Sequence, residues 1–301
     1  MFSAAVIILI TNLQIVREVS DNFYNRTIVS NHTNRQEVPS NKISVVYFTM
    51  IHRANEHWQN VLREQLMSVN ESGLFQVAAS FDALLSTNIS SDLFNQNDQD
   101  LLDLAQSIVL EIAPQANVFT WIGNQYEFHG IRRMWDLGQK DPSNNHYVLY
   151  FHGKGMVNGD GPRSEENVKL TNIVVVDWKN VIRQFESNPN MSYAGYAISH
   201  WGSAWYNFMW ARGSYLKNSV KPKLCERRHY YEDWLGRRTN QSSSSYKSET
   251  CDRKHAKDEN WAGPDHGLSL CENNTKKELG LSADANRIGI ICKRLARTKN
   301  K

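Results

Sequence analysis

The chain has 301 residues, 41% of them hydrophobic and 22% charged, which is length and apolar content enough to bury a full core in one large domain. Its 34 basic and 31 acidic side chains leave a formal net charge of +3, too balanced for a nucleic-acid footprint. The terminal cluster Lys293, Arg294, Arg297, Lys299 and Lys301 has the character of a solvated tail.

The first apolar run, MFSAAVIILI, stops at Thr11 and Asn12, short of the roughly 20 residues a membrane-spanning helix needs, and no positive region precedes it. Residues 1–16 are therefore expected to be a signal or a truncated anchor, with membrane attachment through the N-terminus in the second case. Residues 17–41 are polar, lack periodicity, and carry the glycosylation triplets Asn25-Arg26-Thr27 and Asn31-His32-Thr33, which suits a stem. Further triplets start at Asn70, Asn88, Asn190, Asn240 and Asn273, and an Asn- and Ser-rich chain acquires several by chance.

Residues 42–240 read as the folded domain. The β-branched and aromatic run ISVVYFTM predicts a buried strand over 43–50. Trp58, Val61, Leu62, Gln65, Leu66 and Val69 recur at helical steps over 56–69, and Gly73 ends that helix. FQVAASF predicts a second strand over 75–81, and an amphipathic helix follows over 98–112 before Pro114. A third strand over 117–122, a third helix over 126–137 and an apolar strand over 147–151, ending on His152, complete the series. Alternation of this kind builds an α/β fold with a mostly parallel sheet covered on both faces, and ligands bind beyond the carboxyl ends of its strands.

The cysteines Cys225, Cys251, Cys271 and Cys292 all fall in the last third of the chain. With no Cys-x-x-Cys pair to suggest zinc, a disulfide-stapled extension over 241–301 is expected, in any of three connectivities, against the alternative of reduced thiols in a cytosolic protein.

The strand at 147–151 delivers His152, Gly153, Lys154 and Gly155 to the rim of the sheet. Lysine supplies a point charge for phosphate oxygens, glycines admit close backbone approach, and histidine can donate a hydrogen bond or bind a metal, so the segment suits a diphosphate. A solvated glycine-rich turn is the plain alternative. Trp201, Trp205 and Trp210 stand in an aromatic stretch whose rings suit stacking on a sugar or a base, or else belong to the core.

The motif Tyr150-x-His152-x-Lys154-Gly155 resembles GT-A-like glycosyltransferases. His57-Trp58, Glu64-Gln65-Leu66 and Ser72-Gly73-Leu74 are similar to that family's first helix and turn, and Asp177-Trp178 with Phe185 to a later helix, with Lys179 where arginine is usual. Asn207-Phe208-Met209-Trp210-Ala211-Arg212 and Arg228 through Gly236 resemble its Gly-Asn-Phe-Trp-Trp-Ala segment and Arg-Tyr-x-x-Glu-x-Trp helix, with Tyr206 in place of the glycine and Met209 of the first tryptophan.

The resemblance implies a GT-A-like, Rossmann-type three-layer α/β/α fold and transfer, with inversion, of a sugar from a nucleoside diphosphate to a glycan or protein acceptor. The donor would be held by His152, Gly153, Lys154, Gly155 and Arg212, and the acceptor by Trp201, Trp205, Asn207 and Trp210. Asp233, with Glu232, would supply the base. Because Lys154 stands where such enzymes usually carry Asp-x-Asp, charge neutralisation without a required cofactor is expected, Mn²⁺ or Mg²⁺ being left open with Asp160, Asp82 and His266 as candidate ligands. The lumen of the Golgi or endoplasmic reticulum is the expected location, with the cytoplasm as alternative. A catalytically inactive carbohydrate- or nucleotide-binding relative is the second reading. A disulfide-rich adhesion module is the third, disfavoured by the strand–helix alternation.

Overall fold

The computed structural model describes residues 43–87, 96–153, 162–198, 203–237, 251 and 267–271. The expected N-terminal segment and stem, and most of the C-terminal extension, lie outside them. β1 (Ile43–Ile51) is buried along its length except at Met50, as its β-branched and aromatic residues require of a central strand. It pairs in parallel with β2 (Ser80–Thr87) on one side and with β4 (Tyr147–His152) on the other. β3 (Asn117–Trp121) adds to β2 in parallel. β5 (Tyr193–Gly195), β6 (Met209–Arg212) and β7 (Gly267–Ser269) complete a seven-stranded sheet of order β3-β2-β1-β4-β6-β5-β7. Only β6 runs against the others, pairing antiparallel with β4 and with β5. The fold is α/β with a mostly parallel sheet.

Helices α1 (Trp58–Glu71), α2 (Gln96–Ile112) and α3 (Phe128–Lys140) form where the apolar periodicity predicts them. Ile131, Met134 and Leu137 of α3 pack with Val46, Phe48, Leu84, Val148 and Tyr150 on one face of the sheet. On the other face the Tyr47 hydroxyl meets Gln65 of α1. After β4 come α4 (Pro162–Thr171), a π-helical turn (Asn172–Val176), α5 (Trp178–Ser187), α6 (Gly213–Lys217) and α7 (His229–Asp233). Gly138 lets α3 and α6 touch closely, because a Cβ there would collide with Leu216.

The second strand differs from its expected position. Gly73, at φ 80°, launches a single helical turn over Leu74–Val77, and only then does Ala79 donate to Ile43 O at 2.7 Å and open β2. Phe75 faces back onto Phe81, ring centroids 4.3 Å apart, so both aromatics are satisfied across a turn rather than along one strand. Asp82, expected just past a strand end and free to bind metal, therefore lies inside β2, fully buried. Its oxygens accept from Arg133 Nε at 2.8 Å and Asn117 Nδ2 at 2.9 Å, which makes it a structural carboxylate.

Two other expected site residues also prove structural. Trp210 is fully buried in β6, its indole donating to Val174 O at 2.6 Å. Arg212 ends β6 opposite Tyr147, the first residue of β4, and its buried guanidinium donates to the carbonyls of Met191 (2.7 Å), Phe185 (2.7 Å) and Asn144. Its cation also lies over the rings of Tyr147 and Phe185.

Cys225 is bonded to Cys251, one of the three possible arrangements, and Cys271 is disulfide-bonded as well. Disulfides persist in oxidising, secretory-type compartments. Among the described residues no helix is long and apolar enough to cross a membrane.

Replacing Arg212 by Gln strips donors from three backbone carbonyls at once, two in loops and one in the last turn of α5, and should cost about 3 kcal/mol of unfolding free energy. Urea denaturation of the variant against the parent measures this.

Candidate active site

The carboxyl ends of β1 and β4 carry the corner that follows Phe151. Gly153 N–H donates to Phe48 O at 2.9 Å and so continues the ladder one residue past β4. The His152 carbonyl accepts from Gln65 Nε2 at 3.2 Å, and Gln65 is itself fixed by Tyr47, Asn167 and Thr171. His152 Nε2 lies 2.8 Å from Tyr206 O. A carbonyl only accepts, so the imidazole carries its proton on Nε2 here.

Tyr206 belongs to the turn Trp205–Asn207, and Tyr206 and Asn207 both hold left-handed backbone angles, φ 69° and 54°. Tyr126, at φ 48°, is the third non-glycine residue of this kind among the described residues. Such conformations cost on the order of 1–3 kcal/mol each and gather at functional sites. Here they bring Asn207, almost wholly buried, to the carboxyl of Glu127, the N-cap residue of α3, whose acidity its side-chain amide supports. The Asn207 side-chain carbonyl oxygen is buried without a hydrogen-bond partner.

Glu127 is 8% exposed. Burial drives its pKa up from 4.5 to about 7, the Arg228 guanidinium, its own backbone and Asn207 oppose the rise, and the negative charge of Glu232 adds to it. Beneath it lies the Tyr150 phenol, held well above its ordinary range by burial first and then by Glu127 and Tyr231. Glu127 Oε2, Tyr150 OH and Asn207 Oδ1 are buried and have no hydrogen-bond partner. His129, two residues on from Glu127, stacks on Trp121 at 4.1 Å, and burial lowers its pKa to about 4, leaving it neutral.

Helix α7 adds two more carboxylates. Asp233 is 4% exposed and accepts from Ser203 Oγ at 2.8 Å. Glu232 keeps 18% of its side chain exposed, 3.3 Å from His229 Nδ1. Neighbouring helical positions diverge by about 100°, so one carboxylate is drawn into the core and the other left at the surface.

His152, Gly153, Asn207, Glu232 and Asp233 thus belong to one end of the sheet. Trp205, 41% exposed, stands on the same turn as Asn207. Arg212 does not join them: it sits five residues from His152 along β4, about 16 Å at 3.3 Å per residue. The arginine near the carboxylates is the exposed Arg228. Lys154, Gly155, Asp160, Trp201 and His266 lie outside the described residues. Among those described, no three His, Cys, Asp or Glu side chains gather as a metal site.

Sequence reasoning missed Glu127. Its one legible sign was position, since it opens a helix just past the carboxyl end of β3, where rim residues of such sheets fall. The site can hold a proton to near neutrality on one carboxyl while a second, more exposed carboxyl faces outward.

The raised pKa fixes a pH dependence of stability. Below about pH 4.5 folded and unfolded chains both keep the Glu127 proton. Between about pH 4.5 and 7 the unfolded chain releases it and the folded chain retains it, so stability falls as pH rises, by about 3 kcal/mol in all. Glu127→Gln should lack this fall, and the difference between the two unfolding free energies across pH 4 to 8 measures it.

Compared with known families and curated proteins, the sequence matches no family model and no curated protein.

Proposed function

We propose that the protein is a glycosyltransferase that moves a sugar from a nucleoside diphosphate to a hydroxyl of a glycan or glycoprotein acceptor in a secretory compartment. The observation that carries this reading is the meeting of the His152 corner, the strained Tyr206-Asn207 turn and the Glu127–Glu232 carboxyl pair at the carboxyl ends of β1 and β4. The α/β fold with its single antiparallel strand is compatible with the GT-A-like class that the sequence motifs resemble.

In this mechanism Glu232 is the base. The acceptor hydroxyl oxygen attacks the anomeric carbon, its proton passes to the Glu232 carboxylate, and the carbon–oxygen bond to the diphosphate breaks with inversion. Glu232 takes this role in preference to Asp233 because Asp233 is buried and already bound to Ser203, whereas Glu232 reaches the surface. Asp233 positions the helix. Charge building on the departing diphosphate is met by Arg228, which immediately precedes α7, together with Lys154, which follows Gly153 in sequence, in place of Arg212. Trp205 offers an exposed ring for the acceptor sugar.

A panel of UDP-, GDP- and dTDP-sugars, with and without Mn²⁺, should yield released nucleotide from one donor. Glu232→Gln should lower that turnover about 10²- to 10⁴-fold, the usual worth of a positioned base, with little change in the KM for the donor. Thermal stabilisation by a nucleotide without turnover would make the protein a binding relative. No turnover and no stabilisation by any donor would overturn the reading.

A further inference from the structure

We propose that Asn190 carries an N-linked glycan, on the end of the sheet opposite the candidate active site. Asn190-Met191-Ser192 is an acceptor triplet, but three residues of sequence do not select a site; the surrounding fold does. Asn190 is exposed at the tip of a tight turn between α5 and β5, closed by Met191 N–H to Asn188 O at 3.0 Å and by Asn190 N–H to Asn188 Oδ1 at 3.2 Å. The next residue anchors the turn: Met191 is buried, and its carbonyl holds Arg212 Nε at 2.7 Å. Ser192 in turn accepts the Arg212 backbone N–H at 2.9 Å. The chain is thus held from the core side by Met191 and Ser192, while Asn190 itself is exposed at the tip of the turn.

The triplet at Asn70 shows what the fold excludes. Asn70 lies in the last turn of α1, half-buried, with its amide oxygen accepting from Gln76 Nε2 at 2.8 Å and its carbonyl accepting from Gly73 N–H at 3.0 Å. Asn70 is therefore less accessible than Asn190, within a helix and half-buried where Asn190 is exposed at a turn tip. The disulfide between Cys225 and Cys251 supplies an independent reason to expect passage through the compartment in which asparagines are glycosylated.

Location gives the glycan a consequence. Tyr193 pairs with Ala211, and Ala211 with Val148, so Asn190 precedes β5 at the end where β4 begins, while His152 marks the other end of β4. A glycan on Asn190 leaves the His152–Asn207–Glu232 rim open.

The full chain, expressed through a eukaryotic secretory pathway, is treated with an amide-cleaving glycosidase in heavy-oxygen water and analysed as peptides, because triplets elsewhere in the chain make a gel shift ambiguous. Asn190 should appear as heavy-labelled aspartate in most molecules and Asn70 should remain asparagine. Ser192→Ala should abolish the label at residue 190, and Ser192→Thr should keep it. An unlabelled Asn190 in secreted, disulfide-bonded protein overturns the proposal, and so does equal labelling of Asn70 and Asn190, which would mean that the triplet alone and not the fold selects. Should Ser192→Ala fail to be secreted, the parent and Ser192→Thr peptides decide the question.

Discussion

The antiparallel pairing of β6 with β4 is the constraint from which the rest of the site follows. With Tyr150 opposite Met209 and Tyr147 opposite Arg212, the start of β6 is pinned to the end of β4 and the end of β6 to its start. Whatever precedes Met209 must then meet whatever follows Tyr150. That is why the Tyr206 carbonyl reaches the His152 imidazole and why Asn207 arrives at Glu127, although 54 residues separate Tyr206 from His152 in the chain. A parallel β6 would have exchanged these ends, bringing Arg212 to the rim and sending Asn207 to the far edge.

The arrangement is held against its own cost. Two successive left-handed non-glycine residues and a buried carboxyl next to an unpartnered phenol are unfavourable locally. They persist because the surrounding layers leave the chain no alternative: Tyr150 packs against Gly130 at the start of α3, and the Gln65 amide joins Tyr47, Asn167, Thr171 and the His152 carbonyl in one buried network. The Glu127 carboxyl meets the cost in a different way, by retaining its proton towards neutral pH instead of recruiting a full counter-charge.

Much of the fold was legible in the sequence, because its strands and helices carry clean periodicities. ISVVYFTM and YVLYFH have the near-continuous apolar character of strands buried on both faces, and Leu62, Leu66 and Val69 mark one helical stripe. The second strand was misplaced because Phe75 and Phe81 look alike in sequence, while Gly73 and the turn it launches separate them in space. At the site, His152, Asn207 and the Glu232-Asp233 pair were visible as motif residues. Arg212 and Trp210 stand in the same motif as Asn207, but β6 carries Arg212 to the start of β4, and Trp210 is buried in mid-strand with its indole bonded to the Val174 carbonyl. Glu127 escaped notice because its importance comes from the company of Asn207 and Glu232, both remote in sequence.

The two ends of the sheet thereby divide their labour. At the beginning of β4, charge is consumed by structure, since each nitrogen of the Arg212 guanidinium donates to a backbone carbonyl and the cation lies over the rings of Tyr147 and Phe185. At the end of β4, polar atoms are left over: an amide oxygen, a carboxyl oxygen and a phenol without partners, beside a second carboxyl that reaches solvent. Native interiors rarely leave such groups unmatched without a reason in function. Rigidity at the first end is what permits the excess at the second, because the same two strands, β4 and β6, carry both, and fixing their register through Arg212 fixes the distance between His152 and Asn207 at the rim.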